Sequence, residues 1–238
     1  MESNHNFRTK AVSFLENLRL FLGIDVPDRV SEKLSELAGQ LSRELAYRKW
    51  THPSDYHVTL QFLGDTPASR VDAIAAAAEA AAASFAPLPL ALGEPGTFGS
   101  RQAPHVLWCG AHERGAASAA AAGAAAGALA ALHAALGERL AACGFAPEAR
   151  PLRAHVTLAR NGGPGSGEPS AIAAAWRRAV AALAPADAAG AGAGASVGVS
   201  DALAWTAGGV TLFRTHLGRR PSYERMLEFP FPPGDGLG

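Results

Sequence analysis

The tetrapeptide His-Val-Thr-Leu occurs twice, at His57–Leu60 and at His155–Leu158, and this repeat constrains the fold more than any other feature of the chain. Each copy follows a loop holding aromatic, proline or arginine residues, reads as a strand, and precedes a turn and an amphipathic helix. Matched surroundings of this kind point to a duplicated unit, and so to two lobes. Side chains at i and i+2 of a strand share a face. His57 and Thr59 are therefore expected on one face and Val58, Leu60 and Phe62 on the other. His155 and Thr157 stand in the same way against Val156 and Leu158. Two such strands facing across a cleft would bury their aliphatic sides and surround one small site with two imidazoles and two hydroxyls.

The intervening sequence supplies further strands and helices in non-alternating order. Leu20, Leu22 and Ile24 alternate with Phe21, Gly23 and Asp25 in a strand predicted over 19–26. Pro27 suits the first turn of a helix striped by Val30, Leu34, Leu37, Leu41 and Leu45. A polar loop from Trp50 to Tyr56 leads into the first motif strand, predicted to end at Gly64-Asp65. Helices are predicted over 68–84, along the stripe Leu129, Leu132, Leu136 and Leu140, and along Ile172, Trp176, Val180 and Leu183. Strands are predicted near 88–92, 105–109, 155–159, 202–205 and 210–216. This mixture predicts an α+β fold with mostly antiparallel sheet.

Composition narrows the function classes. The 238 residues carry a formal net charge of zero, against the positive face usual in proteins that grip long nucleic acid. A small or terminal nucleotide held by a few local arginines remains open. Arg43, Arg48 and Lys49 precede the first motif, and Arg150, Arg153 and Arg160 flank the second. The Ala/Gly-rich stretch between Arg114 and Glu138 is long enough to cross a bilayer, but it holds few strong membrane formers and reads as loop and helix. The N-terminal apolar runs are broken by charge and fit neither a secretory segment nor a span. Cys109 and Cys143 form no metal or disulfide pattern, so a reduced cytoplasmic protein is expected.

The repeated set suits the opening of a phosphodiester. A neutral imidazole can take a proton from water and an imidazolium can protonate the leaving oxygen. Histidine, with an ordinary pKa of about 6.5, lets both forms coexist near neutrality. Threonine hydroxyls can donate to non-bridging phosphate oxygens as charge builds. No carboxylate cluster accompanies the histidines, so neither a metal nor another cofactor is expected. His105 and His112 do not share a helical face, and His52, His133 and His216 have no sequence partners; all read as surface or packing residues.

With these residues in view, the chain resembles the 2H phosphoesterase superfamily, specifically the bacterial RNA 2′,3′-cyclic phosphodiesterases, also called 2′-5′ RNA ligase-like proteins. The resemblance runs from about Leu18 to Phe231. It is carried by Arg19–Ile24, by Trp50–Tyr56 leading into His57–Gly64, by Val106-Leu107-Trp108, by Arg150–Ala154 leading into His155–Arg160, and by Leu212–Thr215 with Tyr223. It implies a bilobal, pseudo-symmetric α+β domain over 18–231, with two mostly antiparallel sheets lining a central groove, an extension over 1–17 and a tail over 232–238. It implies hydrolysis of a 2′,3′-cyclic phosphate to a 2′-phosphate, with His57 as proton donor and His155 as acceptor. Thr59, Thr157 and Arg160 would hold the phosphate, which for Arg160 requires the strand to end or bend near Ala159. RNA ends or small cyclic nucleotides are the implied substrates, with no membrane and no obligatory protein partner. The alternatives are a relative acting on another cyclic phosphate or a 2′-5′ linkage, including 2′-5′ ligation, or a non-catalytic RNA-end binding protein. The intact histidine pair favours the enzyme, because binding alone needs no two titrating groups.

Overall fold

The computed structural model describes residues 16–100, 103–114, 127–146, 148, 150–163, 166, 168–183 and 202–233. The expected extension as far as residue 15, the Ala/Gly segments over 115–126 and 188–196, and the tail from residue 234 lie outside them.

The strands are β1 (Asn17–Asp25), β2 (Lys49–Trp50), β3 (His57–Pro67), β4 (Leu88–Gly99), β5 (Pro104–Glu113), β6 (His155–Arg160), β7 (Ala204–Ala207), β8 (Gly209–Thr215) and β9 (Tyr223–Pro230). The helices are α1 (Asp28–Leu41), α2 (Val71–Ala82), α3 (Gly127–Ala142) and α4 (Pro169–Leu183). The strands pair antiparallel in the order β7-β4-β5-β6-β3-β1-β8-β9, with β2 added beside β6. The two expected sheets are thus two four-strand halves of one sheet. They meet where Val58 of β3 pairs with Val156 of β6. The duplication is visible in this order: β1-α1-β3-α2 repeats as β5-α3-β6-α4, with β8 and β9 taking the places of β4 and β7.

The helices cover one side of the sheet. The predicted stripe of α1 is buried at Val30, Leu34, Leu37 and Leu41, and Leu45 is buried just beyond the helix end. All four leucines of the α3 stripe are buried. In α2 the buried positions are Ile74 and four alanines, and the small side chains let it lie close against α3. The packed pairs α2–α3 and α1–α4 exchange under the internal symmetry, so each lobe's helices also brace the other lobe.

The structure departs from the predicted elements in several places: β2 and β9 are added, and α2 is shorter than the helix predicted over 68–84. β3 runs on through Gly64, which takes a positive φ of 71°, and bulges against β1 instead of stopping there. β4 and β5 extend into a long bulged hairpin, Leu88–Gly99 against Pro104–Glu113. Phe62 does not join Val58 and Leu60 on the buried face. A β-bulge at Leu60, skipped in the register between Leu22–Gln61 and Gly23–Thr59, turns Gln61 inward, where it is 3% exposed, and Phe62 outward, where it is 51% exposed. The inward Gln61 donates through Nε2 to the His133 carbonyl of α3 at 2.9 Å.

The β1 half curls until its diagonal corners meet. Although β3 and β9 are not neighbours in the sheet, the buried Asp55 carboxylate, just before β3, accepts from the Ser222 and Tyr223 backbone N–H groups at 2.9–3.0 Å, at the start of β9. Asp55→Ala would orphan these part-buried donors, so it should cost about 1–3 kcal/mol of stability, with Asp55→Asn costing less. Urea unfolding of the two variants checks this; equal and negligible losses would contradict the closure.

Candidate active site

The face of the sheet away from the helices carries the polar half of both motifs. Val58 and Leu60, and Val156 and Leu158, are buried. Strand alternation then sets His57, Thr59, His155 and Thr157 on the other face, and the Val58–Val156 pairing puts the two sets side by side.

Both imidazoles are held by the same device. His57 Nδ1 lies 2.7 Å from the Asp55 carbonyl oxygen, and His155 Nδ1 lies 2.6 Å from the Arg153 carbonyl oxygen, each two residues back. A carbonyl can only accept, so Nδ1 carries the proton in each ring and Nε2 keeps its lone pair. His57 Nε2 is 3.1 Å from Thr59 Oγ1.

Aromatic rings bed both histidines. Around His57 stand Phe21, Phe213 and Tyr223, with centroids at 4.6, 5.5 and 4.9 Å. Phe21 and Phe213 stack on each other at 4.8 Å. Beside His155 stand Phe98 at 5.0 Å and Trp108 at 5.8 Å. Trp108 lies across β4 because Gly96 has no side chain: a Cβ there would meet the indole at 2.2 Å. These beds were the part of the site that motif reading missed. The signal was present for Phe21, which alternates with Leu20 and Leu22.

This burial has an electrostatic consequence. Desolvation holds the His57 imidazolium down to about 4, with His155, Arg160 and Arg225 adding repulsion. The His155 pKa is also lowered, first by desolvation and then by Arg160 and Arg153. Burial among aromatic rings thus favours the neutral imidazole in both lobes, against the expected coexistence of both forms near neutrality.

Arg160 comes to this face through a second bulge. The register passes from Leu107–Ala159 to Trp108–Thr157 and skips Leu158, as β3 skips Leu60. Arg160 and Phe62, each five residues after a motif histidine, are thus equivalent positions turned outward by equivalent bulges. Lys49 is the register partner of Arg160 and shares its face. Arg153 lies over the Phe98 ring at 5.9 Å. Arg43 is elsewhere, at the cleft between α1 and α4, and Arg150 binds Glu148. His52 accepts from Ser54 N–H to cap a short helical turn, and His216 pairs with Glu224. Among the described residues no three His, Cys, Asp or Glu side chains cluster as a metal site needs, and no helix is long and apolar enough to cross a membrane.

A family model described as LigT like phosphoesterase matches residues 24–108 and 121–199. An RNA 2′,3′-cyclic phosphodiesterase of Geobacillus stearothermophilus is 30% identical over 224 residues, 92% of this chain. The chain spans only 60% of that relative's length. A protein of the same description from Bacillus subtilis is 24% identical over 88% of this chain and 94% of the relative. Among solved structures, a Thermus thermophilus protein aligns with a TM-score of 0.63 at 21% identity, covering 91% of this chain and 100% of that one. Escherichia coli LigT complexed with 3′-AMP aligns with a TM-score of 0.57 at 19% identity, covering 91% and 99%. At such identities the likeness is one of fold.

The histidine environments can be measured directly. Imidazole nitrogen NMR at pH 7 should show both rings neutral with the proton on Nδ1, and His57 should titrate near 4. Since the folded pKa lies below the ordinary 6.5, the unfolded chain takes up the proton first, and stability should fall as pH drops from 6.5 towards 4. His57→Gln, uncharged throughout, should lose less over that window; a His57 titrating at or above 6.5 would contradict the burial argument.

Proposed function

The chain belongs to the LigT-like phosphoesterase family, and from that premise we propose that it hydrolyses 2′,3′-cyclic phosphates at RNA ends to 2′-phosphates by paired histidine acid–base catalysis. The observation that carries this reading is the matched pair of imidazoles, each with Nδ1 tied to the carbonyl two residues back, so that Nε2, beside Thr59 Oγ1 in His57, is the nitrogen left for proton transfer. In the reaction His155 Nε2 takes a proton from water as its oxygen bonds to phosphorus. The bond from phosphorus to the 3′-oxygen breaks, and His57 Nε2 delivers a proton to that oxygen. Thr59, Thr157 and Arg160 donate to the non-bridging oxygens.

Burial disfavours imidazolium at both rings, so the substrate helps to charge the acid. A cyclic phosphate is an anion, and its arrival among these rings raises the pKa of whichever imidazole it faces. Once formed, an imidazolium of low intrinsic pKa is a strong acid toward a departing alkoxide. Phe62, half exposed on the same strand with the Arg19 guanidinium 5.1 Å from its ring centre, offers a flat apolar surface for the base of the bound nucleotide.

The test is a product assay: purified protein with an oligonucleotide ending in 2′,3′-cyclic phosphate, in the presence of EDTA, should yield the 2′-phosphate. A 3′-phosphate product, or activity restored only by added zinc or manganese, would overturn the mechanism. His57→Ala and His155→Ala should each cost about 10²–10⁴-fold in kcat, the double variant scarcely more, and the two threonine variants less. Near-wild-type turnover in either histidine variant would move the protein toward RNA-end binding alone. With both pKa values below 6.5 in the free protein, kcat/KM should peak on the acid side of neutrality and decline above it, as the acid loses its proton.

A further inference from the structure

The hairpin between β8 and β9 holds charge that the reaction above does not use. Arg219 and Arg220 are exposed there, beside Leu217, whose side chain is 82% exposed. Neither arginine has an ion-pair partner among the described residues. By contrast Arg19, Arg150, Arg178, Arg214 and Arg225 each bind a carboxylate. Glu224, the acidic residue near the hairpin's base, is engaged by His216 Nε2 at 2.7 Å. In a chain of zero net charge, an adjacent pair of uncompensated guanidiniums is a local positive pole.

The pole is fixed with respect to the site. His216 N–H donates to the Ser222 carbonyl at 2.7 Å and the Ser222 hydroxyl donates to the Arg219 carbonyl at 2.9 Å. Asp55 clamps Ser222 and Tyr223 from below, and its own carbonyl holds His57. The Tyr223 ring stands perpendicular to His57. The two arginines therefore belong to a turn whose C-terminal end, Ser222 and Tyr223, is anchored to Asp55, the residue whose carbonyl holds His57.

We propose that this hairpin, His216–Ser222, is a subsite for the RNA backbone, where Arg219 and Arg220 contact phosphates 5′ of the terminal cyclic phosphate. The inference rests on the proposed function and names its substrate class: an oligonucleotide end is favoured over a cyclic mononucleotide, which has no upstream phosphate to offer. Guanidiniums supply sequence-independent contacts to such phosphates, and the neighbouring Leu217 supplies apolar surface for a ribose or base.

The test compares wild type with Arg219→Ala/Arg220→Ala and with Arg219→Lys/Arg220→Lys. The readouts are kcat/KM on 2′,3′-cyclic AMP and on a short oligonucleotide ending in 2′,3′-cyclic phosphate. Fluorescence anisotropy of the 2′-phosphate-ended oligonucleotide across a salt series adds a measure that needs no turnover. The alanine pair should lose about tenfold on the oligonucleotide, with the slope of log affinity against log salt shallower by about 1.4, that is about 0.7 for each lost contact. Cyclic AMP turnover should not change, and the lysine pair should retain most of the salt slope. Equal losses on both substrates, or no loss on either, would overturn the inference. Arginine-dependent oligonucleotide binding by a wild-type protein that opens no cyclic phosphate would instead overturn the proposed function and leave the hairpin subsite standing.

Discussion

The arrangement of the groove depends on one antiparallel contact, Val58 of β3 against Val156 of β6. Both valines are fully buried, so the seam is held from the helix side by the apolar core. Carried one residue either way, its register sets His57 opposite Thr157 and Thr59 opposite His155. A one-residue slip of either strand would turn its imidazole into the core and its valine into the groove. The helices reinforce this register, because α2 packs on α3 and α1 on α4 across the lobes. The lobes are therefore braced on the helix side and joined strand to strand at the level of the motifs.

Beyond the seam, each motif strand departs from strict alternation after its leucine. The bulges at Leu60 and Leu158 turn the fifth residue after each histidine toward the groove. One copy of the unit places a guanidinium there and the other an aromatic ring. A duplicated scaffold thus gives two unlike groups at equivalent positions, which a single-chain site can exploit and a symmetric dimer of identical units could not. The same asymmetry holds for the residue two before each histidine. Both supply a carbonyl to Nδ1, but the Asp55 side chain turns inward to clamp β9, while the Arg153 side chain lies over Phe98.

What the sequence could reveal follows from the range of the interactions involved. The two histidines, their threonines and the helical stripes are local patterns with periods of two or three to four residues, and they are legible in the chain itself. The join of two sheets into one is not, because a single buried valine pair between residues 98 apart leaves no periodic trace. The bulges are not legible either: His57–Phe62 alternates as well as any strand, and only the register against β1 shows that Leu60 is the extra residue. The need for a bend before Arg160 did follow from alternation. Its location at Leu158 is set by the pairing of β5 with β6.

The depth of the histidines is what most changes the chemistry inferred from composition alone. Two exposed imidazoles would titrate independently near neutrality and would share one proton between them without help. Phe21, Phe213 and Tyr223 on one side, and Phe98 and Trp108 on the other, displace part of the water that would solvate an imidazolium, leaving both rings half-buried. The neighbouring Arg160 repels the charge further, toward both rings. A groove built in this way resists protonation of both rings, and an anion entering it would offset both the burial and the repulsion from Arg160. Protonation of either ring and the binding of an anion beside it would then be thermodynamically linked, each raising the affinity for the other.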